Sequence, residues 1–249
     1  MINGSRDQFR SAYSGVIDRA EVDEGLRSYM LRIYNYMGTG LAVSGLVAWL
    51  IAHTSIGDMF FVMEGGQRLG FNLLGMIGMF APLGLLLVAS FAGRNWSARA
   101  TQAMYWAFVA LQGIGLSILL MVYTGESVVR VFFITAAAFG GLSLYGYTTK
   151  KNLSAMGSFM IMGLIGLIIA SIVNIFLASS MLAFIIAAVG VLVFAGLIAY
   201  HTQSAKEEYL AGLGSPDHET RAAVWSALAL YISFINLFQF LLMFLGNRE

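Results

Sequence analysis

The chain has no cysteine and only two prolines, and just 11% of its 249 residues are charged. Without cysteine there are no disulfides and no thiolate metal sites, and the redox compartment stays open. So little charge excludes an ordinary soluble domain, which carries roughly 25% charged residues. Net charge is +1 and no basic stripe exists, so no nucleic-acid partner is expected. His53, His201 and His218 lie in separate segments without ligand spacing, so no metal site is expected. No strand is expected, and with none there is no strand-borne phosphate loop.

What is present is apolar: 59% of the residues are hydrophobic and 28 are glycine. A bilayer core about 30 Å thick needs roughly 20 apolar residues per helix. Seven runs meet that length: Tyr34–Ala52, Phe71–Phe91, Ala103–Tyr123, Val128–Tyr147, Gly157–Leu177, Met181–Gln203 and Ala223–Leu245. Every formal charge sits in a tail, in a loop or at a helix edge, Arg130 among them, as the cost of charge in hydrocarbon demands. The expected fold is an all-α membrane protein with a polar tail over residues 1–33, seven helices over 34–245 and a short tail over 246–249. The partner this implies throughout is the lipid bilayer.

Residues 1–33 lack the apolar core and cleavage site of a secretory signal and are expected to be a retained cytoplasmic tail. The distribution of Lys and Arg agrees. Eleven fall on the N-terminal side (Arg6, Arg10, Arg19, Arg27, Arg32, Arg94, Arg99, Lys150, Lys151, Lys206, Arg221), against Arg68, Arg130 and Arg248 on the other. This asymmetry orients the N-terminus to the cytoplasm and, with seven spans, the C-terminus outside. Aromatic residues near the run ends, such as Tyr34, Trp49, Trp96 and Trp225, form an interfacial belt. Pro82 lies inside the second run and leaves the Gly78 carbonyl without its helical donor, which makes a packing bend or a hinge. The longest outer loop, His53–Gly70, has room for a small helix.

Catalysis is not expected. Gly141-Leu142-Ser143 superficially suggests a serine nucleophile, but in a chain this rich in glycine and serine Ser143 reads as a helix-packing residue. There remain uncharged polar residues inside apolar runs: Asn72, Gln112, Asn174, His201, Gln203, Ser233, Asn236 and Gln239. Each either hydrogen-bonds between helices or lines a water-filled path. His201 is the one titratable group of its kind within a run, and is either a pH sensor or a neutral histidine bonded to a backbone carbonyl.

Several segments carry a resemblance. They are Ala138-Phe-Gly-Gly-Leu-Ser-Leu-Tyr-Gly-Tyr-Thr-Thr-Lys-Lys-Asn-Leu-Ser154, then Gly157-Ser-Phe and Ala170-Ser-Ile-Val-Asn-Ile-Phe176. Gly196-Leu-Ile-Ala-Tyr-His-Thr-Gln203 and Leu228-Ala-Leu-Tyr-Ile-Ser-Phe-Ile-Asn-Leu-Phe238 complete the pattern. From about residue 25 to its end the chain resembles the bacterial branch of the Bax inhibitor-1 family. The resemblance implies seven helices with the last one central, an inner-membrane location and a pH-sensitive calcium leak. A further bacterial role it implies is binding and modulation of a membrane-anchored AAA protease, as a scaffold. It implies no cofactor, with calcium as the transported ion. The family's leak is attributed to two proton-sharing aspartates, and here their positions read His201 and Ser233. Both carboxylates are gone, and with them a proton-controlled switch and a charged site for a divalent cation. A basic latch residue in the family matches Arg94, with Arg99 the alternative. Asn174, Gln203, Asn236 and Gln239 are the candidate polar pore lining. Counted from the nearest charged residues at 1.5 Å per residue, His201 and Ser233 lie at unequal depths of about 8 Å and about 18 Å. Helix tilt, or a last helix starting inside the cytoplasm, has to reconcile them.

Overall fold

Short polar residues begin most of the helices. Asn72, Ser97, Thr124, Ser179 and Ser215 each accept a backbone N–H from the first turn of the helix that follows. That satisfies donors the helix itself cannot pair. The computed structural model describes residues 3–65, 67–93, 96–212 and 215–247, with side chains from Asp23 onward. Its helices are α1 (Asn3–His53), α2 (Leu73–Ala92), α3 (Ala98–Ser117), the single turn α4 (Leu119–Val122), α5 (Gly125–Thr148), α6 (Ser154–Leu177), α7 (Ser180–Leu210) and α8 (Pro216–Leu245). With α3 and α4 counted together, seven are long and apolar enough to cross a membrane. The break between α3 and α4 follows Ser117, whose hydroxyl donates to the Ile114 carbonyl (2.7 Å) and competes with the helical ladder.

All seven expected spans are present, but several helices run past their apolar stretch. The first membrane-length stretch is described from Asp23, α7 continues to Leu210 and α8 begins at Pro216. Outside the hydrocarbon the helix keeps its own backbone hydrogen bonds and water solvates its polar side chains, so hydropathy underestimates the length. Pro82 lies inside α2 as expected.

The expectation of no strands fails in the long connection after α1. A 3-10 turn at Ser55–Met59 supplies the small helix, and an antiparallel hairpin follows, β1 (Phe61–Glu64) with β2 (Gln67–Phe71). Gly65, at φ +59°, makes the turn. The stacked rings of Phe61 and Phe71, 4.8 Å apart, close the hairpin's base. Arg68 locks it to α1. Its guanidinium donates to the carbonyls of Ile51 (2.8 Å), Ala52 (2.8 Å) and Thr54 (2.6 Å) and pairs with Asp58 (2.8 Å). The Ile51 and Ala52 carbonyls lie in the last turn of α1, where acceptors lack helical donors and a cation suits them.

Burial grades the helices. Half of the apolar stretch of α8 is buried, against 6% for α6. α8 packs against α7, α1, α5 and α3, while α6 leans mainly on α7. The last helix is therefore the central one. At the hairpin end it is pinned to the start of α5: the Asn247 N–H donates to Ser127 Oγ (3.0 Å) and its carbonyl accepts from the Thr124 N–H (3.1 Å). At the opposite, basic end Arg32 of α1 pairs with Glu219 of α8 (3.3 Å).

Candidate functional site

Hydroxyls and amides on α8 behave differently, and the difference builds the site. A serine in a helix can donate to the carbonyl one turn back and so cancel its own polarity. Ser233 does this: it is buried and donates to the Ala229 carbonyl (2.8 Å). Tyr231, fully buried, donates its phenol O–H to Ser44 of α1, whose own hydroxyl reaches the Val109 carbonyl of α3 (2.8 Å). One polar pin therefore joins three helices at the centre of the bundle.

An amide has two donors and an acceptor and cannot be satisfied that way. The Asn236 amide nitrogen donates to the Ile232 carbonyl (2.8 Å), which leaves its oxygen over. The amides of Gln112 and Gln239 have no hydrogen-bond partner among the described residues. All three side chains line one cavity of about 260 Å³ between α2, α3 and α8, beside Pro82 and Tyr231. At about 30 Å³ per water molecule it has room for several. Apolar side chains such as Leu83, Leu86 and Phe108 make up most of the remaining wall, so it is an apolar pocket carrying three amides within the hydrocarbon layer.

His201 and Ser233 face a different part of the bundle. His201 is half-buried on α7, its ring tilted against that of Tyr200 (centroids 5.3 Å apart). No hydrogen bond joins His201 to Ser233 among the described residues. α5 gives their relative depth. Phe139 meets Phe234 edge-on (5.7 Å), and Ser143, one turn further, bonds Thr202 (3.1 Å). Ser233 and His201 precede those two contacts by one residue each. α7 and α8 run in opposite directions, so both offsets shorten the four-residue (about 6 Å) separation along α5 and leave the two positions about 3 Å apart in depth. The mismatch of about 10 Å counted along the sequence narrows to this because α8 starts well out at the basic end, where Glu219 reaches Arg32.

The other expected site residues are placed as follows. Both functions of the Gln203 amide are occupied: its oxygen accepts from the Leu153 N–H (2.7 Å) and its nitrogen donates to the Lys151 carbonyl (2.9 Å), holding the α5–α6 turn. Asn174 ends α6, its side-chain oxygen accepting from the Ser179 N–H (3.1 Å) after Ala178 turns left-handed at φ 48°. Asn72 caps α2 and donates to the Met59 carbonyl (2.9 Å). The structure thus brings Asn236 and Gln239 together with Gln112, and leaves Asn174 at the end of α6 and Gln203 against the α5–α6 turn. Arg94 lies outside the described residues; Arg99 is exposed in the first turn of α3. Ser143 is buried, and its hydroxyl partners are Tyr34 (2.6 Å) and Thr202. Among the described residues no group of three or more His, Cys, Asp or Glu side chains is placed to hold a metal ion.

Sequence reasoning missed the Ser44–Tyr231 pin and the Tyr34–Ser143–Thr202 chain. Serine, threonine and tyrosine inside an apolar run barely lower its hydropathy, so nothing but their position on facing helices marks them.

Seven apolar helices, the last of them central and without charge from Ala222 onward, define a multi-pass membrane protein. A family model described as "Inhibitor of apoptosis-promoting Bax1" matches residues 26–249, and the chain belongs to that family. An uncharacterised protein of Caulobacter vibrioides is 50% identical over 249 residues, covering 98% of this chain and 100% of that one. The Rickettsia prowazekii protein RP147 is 45% identical over 227 residues, 91% of this chain and 92% of its own length. The inner membrane protein YbhL of Escherichia coli K12 is 39% identical over 248 residues, 98% of this chain and 100% of that one. With that relative and seven apolar helices, the chain is a multi-pass inner-membrane protein.

Proposed function

We propose that this protein is a cation leak of the Bax inhibitor-1 type, carrying calcium along α8, with its proton control moved from a carboxylate pair to His201 or lost. The observation that carries this is the set of three amides, Gln112, Asn236 and Gln239, around one cavity on the central helix. Amide oxygens are hard, neutral donors of the kind calcium accepts. Without carboxylates they bind weakly, which favours passage over retention. The excess of Lys and Arg at the end opposite the hairpin supports a cytoplasmic N-terminus, with the hairpin and C-terminus outside. No catalytic step is assigned.

The test is calcium flux into liposomes holding the purified protein, from pH 5 to 8, beside Asn236→Leu and a His201→Asp/Ser233→Asp double variant. Flux above that of protein-free vesicles, lost in Asn236→Leu, is the expected result. A single transition in the histidine range makes His201 the switch. Flux equal to the empty bilayer overturns the proposal. Conduction by the double variant alone favours the second reading, a non-conducting scaffold for a membrane-anchored AAA protease. Its support is the self-satisfied Ser233 where a carboxylate would stand. Removing residues 1–24 should then abolish co-purification with the protease, and unchanged recovery would count against it.

A further inference from the structure

α1 and α5 are neighbours that are not packed against one another along their length. Between them runs a groove of about 640 Å³, bridged by the Tyr34–Ser143 hydrogen bond and by the edge contact of Tyr34 with Phe139 (6.4 Å). Its walls are apolar, with Met30, Leu31, Phe139 and Leu144 on the two sides. Leu31 and Leu144 are 51% and 63% exposed, so the groove opens sideways to the lipid. Its mouth lies at the basic end of the bundle, at Asp23 and Arg27 on α1 and Tyr147 on α5. From Arg27 to Tyr34 it extends seven residues, about 10 Å, toward the bilayer centre.

The mouth is charged in a specific way. Asp23 and Arg27 stand four residues apart on one helix face, the spacing at which a carboxylate and a guanidinium ordinarily pair. They form no ion pair with each other or with any other described residue. Both line the groove instead. Tyr147, on the opposite wall, accepts at its carbonyl from Lys206 of α7 (2.8 Å), whose ammonium lies 5.3 Å over the Tyr147 ring. The groove thus offers a cation and an anion one helical turn apart at membrane-interface depth, above an apolar slot.

We infer that this groove holds a phosphoethanolamine lipid, its phosphate at Arg27, its ammonium at Asp23 and its upper acyl chain along Leu31, Phe139 and Leu144. Arginine suits a phosphate oxygen pair through its forked donors, and a carboxylate suits a primary ammonium. A purely anionic headgroup would leave Asp23 facing like charge. A second copy of the chain, or a purely apolar occupant, would leave both charges without a partner.

Native mass spectrometry of the full chain in detergent, titrated separately with phosphatidylethanolamine, phosphatidylglycerol and phosphatidylcholine, tests this. The expected result is one phosphatidylethanolamine retained per chain, several-fold more tightly than the other two. Arg27→Gln should weaken it about tenfold, one charge-assisted contact's worth. Asp23→Asn should keep binding and erase the preference over phosphatidylglycerol. Both residues are exposed and unpaired among the described residues, so these variants leave the fold intact. Gly140→Leu adds bulk to the groove wall where a Cβ meets nothing within 4 Å, and should expel the lipid. Equal retention by all four proteins overturns the inference. So does phosphatidylglycerol bound as tightly as phosphatidylethanolamine, or a lipid-independent loss of dimer in Gly140→Leu, which would make the occupant a second copy.

Discussion

Replacing Gly146 with alanine should push α5 off α7. A Cβ built at Gly146 would sit 2.2 Å from the Ala199 carbonyl oxygen, 2.9 Å from its carbon and 3.0 Å from its Cα. All three are backbone atoms in the middle of a helix, so no side chain can swing aside. The two helices must separate by about 1 Å, and a gap of that size forfeits up to about half of each van der Waals contact it opens. Overpacking of this kind costs about 1–3 kcal/mol. Gly→Ala in a helix also returns about 1 kcal/mol of propensity, which would mask the loss. Gly141→Ala on the same helix is the control, because its Cβ meets nothing within 4 Å. The propensity gain is common to both variants, so their difference isolates the clash. Chemical or thermal unfolding in detergent micelles should place Gly146→Ala about 1–3 kcal/mol below Gly141→Ala. The Ser143–Thr202 bond (3.1 Å), on the same face one turn away, should loosen with it. Two variants within about 0.5 kcal/mol of each other, inside the usual scatter of surface substitutions, would refute the close approach of α5 and α7.

Three further perturbations follow from local geometry. Arg68→Ala removes the donors that close the end of α1 and should cost about 2 kcal/mol through the Ile51 and Ala52 carbonyls left unpaired. Limited proteolysis should then cut the hairpin, with Arg68→Lys rescuing little because an ammonium lacks the fork. Gln203→Leu orphans the buried Leu153 N–H, so that amide should exchange with deuterium at least about tenfold faster while amides in mid-α7 stay unchanged. Ala178→Gly relieves the one left-handed non-glycine residue among those described and should raise stability by up to about 1 kcal/mol. A lowered unfolding midpoint would argue against that conformation.

Membrane spans were legible because two physical constraints coincide on them: the fixed rise of a helix and the cost of charge in hydrocarbon. Their ends were not legible, since Ser204–Leu210 and Pro216–Arg221 are polar residues that continue a helix already nucleated by its apolar part. The hairpin escaped notice because four- and five-residue strands carry too few alternations to register. Its stability also comes from Arg68 reaching back to α1, a contact no local pattern encodes. Of the polar residues within apolar runs, Asn72, Asn174 and Gln203 turn out to serve helix ends and turns. Composition cannot separate such an amide from one that faces a chamber. Only its distance from the point where the helix stops can, and that point was the least certain feature of the sequence.

The remaining amides can be tested in a way that separates packing from passage. A buried amide without a partner costs roughly 1–3 kcal/mol in a protein interior. The half-buried amides of Gln112 and Gln239 carry part of that cost unless water or an ion occupies the cavity they line. Methionine has nearly the same length and shape as glutamine and no such penalty. If the amides serve only a water-filled gap, Gln112→Met/Gln239→Met should leave the unfolding midpoint equal or raise it by the equivalent of about 1–2 kcal/mol. If they also line the proposed path, the same variant should lose calcium flux while gaining that stability. Stability and flux then move in opposite directions, a combination that unfolding or misassembly cannot imitate. A variant destabilised by more than about 1 kcal/mol would mean that the two amides are firmly hydrogen-bonded parts of the packing, and would remove them from the path.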